Sequence, residues 1–162
     1  MKIRRLNSQD IHSIRDLVAK CKPLDLHTLY SYWIIIQYFN KYSFVLESSS
    51  QQVGLITSLD KKLDSKKILF IWQIGVIPEF RGKKLGEKLL HHLVESALND
   101  GINYFQFSID PNNTASLKTF QSIATNFKGK LVKIDQVSIK DDSMRNKEFE
   151  DLYELSIPEL KT

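Results

Sequence analysis

The chain has 162 residues, of which 42% are apolar and 26% charged, with a net charge of +4. That length and balance suit one globular domain spanning residues 1–162 with a buried core, and they exclude a fibrous or disordered chain. The single cysteine, Cys21, excludes an intrachain disulfide. With no signal-like N-terminus and no apolar run of membrane-spanning length, a cytoplasmic protein is expected, with no membrane partner.

Ile3–Leu6 reads as a short first strand. Ser8 is a suitable N-cap for a helix with Ile11, Ile14, Leu17 and Val18 on one face, which ends before Pro23. A second helix over residues 28–39, capped by Asp25 or Thr28, gathers Tyr30, Tyr32, Trp33, Tyr38 and Phe39, a density that suits core, a pocket wall or a subunit contact. Ser43–Glu47, Gln52–Leu59 and Ile68–Ile77 then form an antiparallel meander with polar turns at Ser48–Gln52 and Asp60–Lys67.

Leu85, Leu89, Leu90, Leu93, Val94, Ala97 and Leu98 follow the 3.6-residue period of a helix lying on a sheet, and Gly101 stops it. Phe105, Phe107 and Ile109 alternate along a strand that a helical crossover makes parallel to Ile68–Ile77. Pro111-Asn-Asn-Thr opens a last helix carrying Leu117, Phe120 and Ile123. Leu131–Ile139 and Leu152–Ile157 close the sheet on either side of a polar loop, Lys140–Glu150. The order β-α-α-β-β-β-α-β-α-β-β predicts an α/β (α+β) fold, one mixed twisted sheet flanked by helices.

Chemistry concentrates between Val76 and Gly86. An apolar strand stops at Pro78 and gives way to Arg81-Gly-Lys-Lys-Leu-Gly86 at a helix N-terminus. Unpaired amides and partial positive charge there suit a phosphate, Gly82 and Gly86 allow close backbone approach, and Arg81, Lys83 and Lys84 add charge. Neither a P-loop nor a dinucleotide fingerprint fits the glycine spacing. Alone, the turn also fits a structural strand-to-helix connection. The other basic group, Lys61, Lys62, Lys66 and Lys67, reads as a solvated hairpin tip. With no single basic block, nucleic acid is not the expected partner.

The run Val76-Ile-Pro-Glu-Phe-Arg-Gly-Lys-Lys-Leu-Gly86 resembles the acetyl-coenzyme A motif of the GCN5-related N-acetyltransferases (GNAT), and Asn112-Asn-Thr-Ala-Ser-Leu-Lys-Thr-Phe120 resembles their second signature. The resemblance implies the GNAT fold and acetyl-coenzyme A as co-substrate, without a metal. It implies that the amides of Gly82, Lys83, Lys84, Leu85 and Gly86 hold the pyrophosphate while Arg81 supports the turn. The strand edge near Ile74 to Val76 would pair with the pantetheine arm and supply a catalytic N–H to the thioester carbonyl, and Asn113 and Ser116 would add coenzyme contacts. Two positions depart from the family pattern. Lys84 stands where glycine is common, so a glycine-only backbone conformation is not expected there. Phe120 stands where a tyrosine often protonates the leaving thiolate.

Pro23-Leu-Asp-Leu-His-Thr-Leu-Tyr-Ser-Tyr32, Phe70-Ile-Trp-Gln-Ile-Gly-Val76 and Ile109-Asp-Pro-Asn-Asn-Thr-Ala-Ser116 are similar to the diaminobutyrate acetyltransferase group within that superfamily. That likeness implies acetylation of the 4-amino group of the diamine, on the route to ectoine, and a homodimer. A substrate with two ammonium groups needs acidic partners. Asp25 beside Tyr30 and Trp72 is one candidate, and Glu150 is another, both for binding and as the catalytic proton acceptor. Against these roles, Asp25 also fits as a helix cap and Glu150 as a solvated charge. No Cys/His pair suggests a covalent acetyl-enzyme.

Overall fold

The apolar periods close into seven strands and four α-helices among the described residues, 1–138 and 149–159, of the computed structural model. In chain order these are β1 (Lys2–Arg5), α1 (Ile11–Lys20), α2 (Leu29–Tyr38), β2 (Phe44–Ser48), β3 (Gln51–Leu63), β4 (Lys66–Val76), α3 (Leu85–Leu98), β5 (Tyr104–Ile109), α4 (Thr114–Asn126), β6 (Lys130–Val137) and β7 (Glu150–Ser156). The expected order of elements stands. One sheet runs β1-β2-β3-β4-β5-β7-β6. It is antiparallel except between β4 and β5, which the α3 crossover makes parallel.

Helices cover both faces. A Cβ added at Gly54 would meet Leu89 of α3, whereas one added at Gly75 would meet Leu24 and Cys21 just after α1. On α3, Leu89, Leu90, Leu93, Val94 and Ala97 are fully buried. At about 1.5–3 kcal/mol for each large side chain, this stripe is enough to hold the crossover on the sheet.

Several local expectations change. Asn7, not Ser8, caps the first helical turn, because its side chain accepts from Gln9 N while Asp10 reaches back in a capping box. Thr28 caps α2 by accepting from Ser31 N at 3.1 Å, so Asp25 is not its cap. The second hairpin turn is far shorter than Asp60–Lys67. β3 and β4 stay paired out to Leu63↔Lys66, so Lys61, Lys62, Lys66 and Lys67 all lie in strands, on either side of a two-residue turn. Glu150 begins β7 instead of ending a loop. The stretch 140–148, Glu148 included, and the predicted strand end at Ile139 lie outside the described residues.

The feature that positions the site is a parting of strands. β4 pairs with β3 from Lys66 to Val76 but with β5 only at Ile68, Leu69 and Phe70. Just beyond, the β3–β4 register slips between Thr57 and Ser58, which leaves Trp72 as an extra residue between Ile71 and Gln73. A bulge of this kind bends its strand and increases local twist. β5 continues to Ile109 against β7. The last residues of β4 therefore present a backbone edge that has no strand partner on the β5 side among the described residues.

Candidate active site

The open edge leads directly into the basic turn. After Val76 a 3₁₀ turn, Pro78–Phe80, reverses the chain, and Arg81 N donates to Pro78 O at 3.1 Å. Gly82 has φ +74°, and a Cβ at Gly82 or at Gly86 would meet nothing within 4 Å, so both glycines face open space. α3 begins with no side-chain cap, whereas Thr28 caps α2 and Asn113 caps α4. The first amides of a 14-residue helix thus remain available to an anion. Lys83 and Lys84 are exposed, with Lys83 Nζ 4.7 Å above the Phe80 ring.

Lys84 corrects the sequence reading. It adopts φ 55°, ψ 25°, the left-handed conformation that glycine takes without penalty. A lysine in that conformation costs about 1–2 kcal/mol.

Arg81 lies along the surface, over the main chain of two neighbouring segments. Its Nε donates to Val76 O at 3.1 Å and its guanidinium donates to Lys22 O at 2.8 Å. The side chain grips a main-chain carbonyl on each.

On the α1–α2 side of β4, Gln73 is buried (4% exposed) in an otherwise apolar strand. Its Nε2 donates to Asp25 O at 2.8 Å, and its Oε1 accepts from the fully buried Tyr32 hydroxyl at 3.3 Å. Burial raises the Tyr32 phenol above its ordinary value, so it remains a proton donor near neutrality. Trp72 lies against the same loop, with its ring 4.5 Å from His27 and 6.2 Å from Tyr32. The bulge places Trp72 and Gln73 side by side under residues 25–32. Gly75 completes the seat, because a Cβ there would come within 2.8 Å of Leu24 Cδ1 and 3.1 Å of Cys21 Sγ.

The structure thus places the Asp25 main chain over Gln73 and the Trp72 ring against His27 and Tyr32. Tyr30 is not part of that cluster: it is 67% exposed and stacks on Trp33 at 5.6 Å. Ile74 and Val76 lie on the parted edge. Glu150 is half-buried at the start of β7, next to Asp151, which pairs with Ile109 at the end of β5. It therefore stands at the end of the sheet where β4 and β5 diverge. Asn113 Oδ1 accepts from Ser116 N at 3.1 Å, so these two candidate coenzyme contacts also hold each other at the start of α4. Gln73 and His27, which lie within the quoted motifs but had no role assigned, and Arg15, whose Nε donates to His27 O at 3.1 Å, join this cluster. A polar residue inside the apolar run Ile68–Ile77 was the available signal for Gln73.

Other groups fall away from the chemistry. Burial, opposed by Arg81, pushes the Cys21 thiol up to about 11, so it is a packed neutral group and a poor nucleophile. Phe120 is buried and stacks on Phe107 at 3.5 Å, a core contact with no proton to give. No group of acidic, His and Cys side chains able to hold a metal occurs among the described residues. A cleft of about 650 Å³ lined by Lys66, Tyr104, Lys128 and Lys130 lies at the opposite end of β4. It adjoins the segments that follow α3 and α4, at Gly101 and at residues 128–130.

The sequence profile of the acetyltransferase (GNAT) family matches residues 11–124. The chain belongs to the GNAT acetyltransferase family. L-2,4-diaminobutyric acid acetyltransferase of Bordetella parapertussis is 30% identical over 122 residues, 75% of this chain and 66% of that protein. The protein of the same name from Halalkalibacterium halodurans is 31% identical over 119 residues, 74% of this chain and 62% of its own length. The chain thus spans slightly less than two thirds of these two relatives. For the namesake from Oceanobacillus iheyensis, the match is 32% identical over 146 residues and covers 86% of this chain and 80% of the relative. Among solved structures, diaminobutyrate acetyltransferase EctA from Paenibacillus lautus, in complex with L-2,4-diaminobutyric acid and coenzyme A, superposes with a TM-score of 0.82 at 20% identity, covering 99% of this chain and 96% of that one. Ribosomal-protein-S18-alanine N-acetyltransferase from Escherichia coli superposes with a TM-score of 0.74 at 15% identity, covering 99% and 95%. At those identities the likeness bears on fold, and the shared fold is that of the GNAT family.

The strained turn makes one testable statement. Lys84→Gly should raise unfolding free energy by about 0.5–1 kcal/mol, since relief of the left-handed conformation exceeds the extra chain entropy that glycine brings to the unfolded state. Urea denaturation measures this, and a net loss of stability would show that the lysine side chain contributes more than its backbone shape costs.

Proposed function

We propose that this chain is an acetyl-coenzyme A-dependent N-acetyltransferase that acetylates the 4-amino group of L-2,4-diaminobutyrate, forming the precursor that cyclises to ectoine. The observation that carries this reading is the position of the parted β4 edge, with a phosphate-suited turn at its end and an acid-bearing aromatic loop on its face. The curated relatives, which carry that enzyme's name, support the choice of amine.

In this reading the free amides of Gly82 to Gly86 hold the pyrophosphate. The open edge near Ile74 and Val76 aligns the pantetheine arm and donates a main-chain N–H toward the thioester oxygen, where negative charge develops. Asp25 neutralises one ammonium group and the Trp72 face offers a cation–π contact. Acetyl-coenzyme A supplies the activated acetyl group.

The amine must be neutral to attack. With a pKa near 10, roughly one molecule in 1,000 is neutral at pH 7, a penalty of about 4 kcal/mol. A positioned proton acceptor offsets this, and Glu150 at the diverging end of the sheet takes that role, directly or through water. The nitrogen then bonds to the acetyl carbon, the C–S bond breaks, and the sulfur leaves as thiolate, which takes up the proton that the new amide nitrogen sheds. A thiol pKa near 8.5 makes an unaided thiolate tolerable, consistent with Phe120 where a donor often stands.

The same reading places a homodimer in the cytoplasm. Leu29, Tyr30, Trp33 and Tyr38 of α2 are exposed at 39%, 67%, 38% and 67%, an apolar face suited to a second copy. Trp33→Glu should shift the species seen by light scattering to monomer; an unchanged mass would put the contact elsewhere.

A panel of amines assayed by thiol release tests the substrate. Diaminobutyrate should give the highest kcat/KM, and preference for a peptide N-terminus or another small amine would replace the proposal. Asp25→Ala should raise KM for diaminobutyrate roughly 10-fold or more, the scale of a lost charged contact, while coenzyme affinity stays intact. An unchanged KM removes Asp25 from the site.

A further inference from the structure

The segment from Cys21 to Thr28 that carries Asp25 is held by its main-chain carbonyls from three sides. Arg81 donates to Lys22 O at 2.8 Å, Gln73 to Asp25 O at 2.8 Å, and Arg15 Nε to His27 O at 3.1 Å. Each donor comes from a different element: the coenzyme turn, β4 and α1. Packing adds a fourth tie, because Cys21 and Leu24 sit where any side chain at residue 75 would be.

The three ties are not equivalent. Gln73 and its partner Tyr32 are buried and act as a fixed support. Arg81 is exposed, and its main chain belongs to the turn whose next residue, Gly82, begins the phosphate-facing amides. The same side chain also grips Val76 O, at the end of the open edge. One side chain, borne by the turn, therefore links it to the acyl strand and to the amine loop. An Arg fork can hold two carbonyls at once, whereas a lysine ammonium is a point charge on a flexible stem.

We propose that Arg81 is a positioning residue that couples the two subsites, so that filling the coenzyme turn tightens the amine loop and the reverse. This rests on the acetyltransferase reading above and adds a thermodynamic link between its substrates. Ordering the turn around phosphate fixes the Arg81 main chain, which lowers the cost of keeping its fork on Lys22 and Val76. The loop bearing Asp25 is then already ordered when the amine arrives. Such coupling is reciprocal for binding free energies and commonly amounts to 5–150-fold.

The test is diaminobutyrate binding by calorimetry, with and without saturating coenzyme A, which cannot donate an acetyl group. Wild type should bind the amine about 10-fold more tightly in the presence of coenzyme A. In Arg81→Met the ratio should fall below about twofold, and in Arg81→Lys it should fall likewise while positive charge at the turn is kept. Gln73→Leu should weaken the amine roughly 10-fold in both states and leave the ratio intact, which separates support from coupling. A wild-type ratio near one, or a full ratio in Arg81→Lys, overturns the proposal. If Arg81→Met fails to fold by circular dichroism, Arg81→Lys carries the decision. If wild type binds no diaminobutyrate at all, the substrate reading fails. The coupling is then judged from hydrogen exchange: coenzyme A should protect amides 24–28 in wild type and not in Arg81→Lys, and equal protection in both overturns it.

Discussion

β4 shares hydrogen bonds with two neighbours for only three residues, and the rest of the site depends on that limit. β3 holds it on both sides of the Trp72 bulge, so the strand stays extended along its length. β5 leaves it after Phe70, where the bulge at Trp72 adds twist and where β5 commits its remaining residues to β7. An unpaired strand edge inside a sheet is unfavourable unless something pairs with it. Here the edge ends at a turn with free amides, so an extended acyl chain with phosphates at one end is the ligand whose shape satisfies both. Had β5 stayed paired to Val76, the same sequence would make a continuous sheet with no slot.

The bulge has a second effect, on the other face. By setting Trp72 beside Gln73 it turns an aromatic ring and an amide toward one loop, and Gly75 lets that loop settle against the strand. The loop has few buried side chains of its own, and it is held by hydrogen bonds to its carbonyls, each worth about 1 kcal/mol net and somewhat more from arginine. Ties of that size hold a loop without freezing it, which suits the amine-admitting role proposed for it. The left-handed Lys84 is of similar magnitude and opposite sign, a local cost accepted where the backbone has to present amides to an anion.

Much of this is readable from residue order. The 3.6-residue stripe on α3, the alternation of β5 and the sequence Arg81–Gly86 lead to the fold and the turn because each is a local pattern with a physical period. Asp25 and Trp72 emerge as candidates because acids and aromatics suit a diamine. What is not legible is the geometry between segments. No local signal marks how early β5 departs, since that depends on β7, which lies 41 residues after the end of β5 and yet enters between β5 and β6. Gln73 stands out as a polar residue in an apolar strand, but its partners Tyr32 and Asp25 lie 41 and 48 residues away. Thr28 outcompetes Asp25 as the cap of α2 because it sits at the right distance from Ser31 N, and Asn7 displaces Ser8 for the same kind of reason. Both are shifts of a few residues that propensity alone does not resolve.

The central claim, that the parted edge of β4 is the acyl-chain slot, is tested most directly by residue-resolved hydrogen exchange with and without coenzyme A. The β5-facing amides within Trp72–Val76, together with those of Gly82–Gly86, should gain at least about tenfold protection, while β3-facing amides of β4 stay unchanged. Protection confined to Lys66, Lys128 and Lys130, at the other end of the strand, would contradict the account.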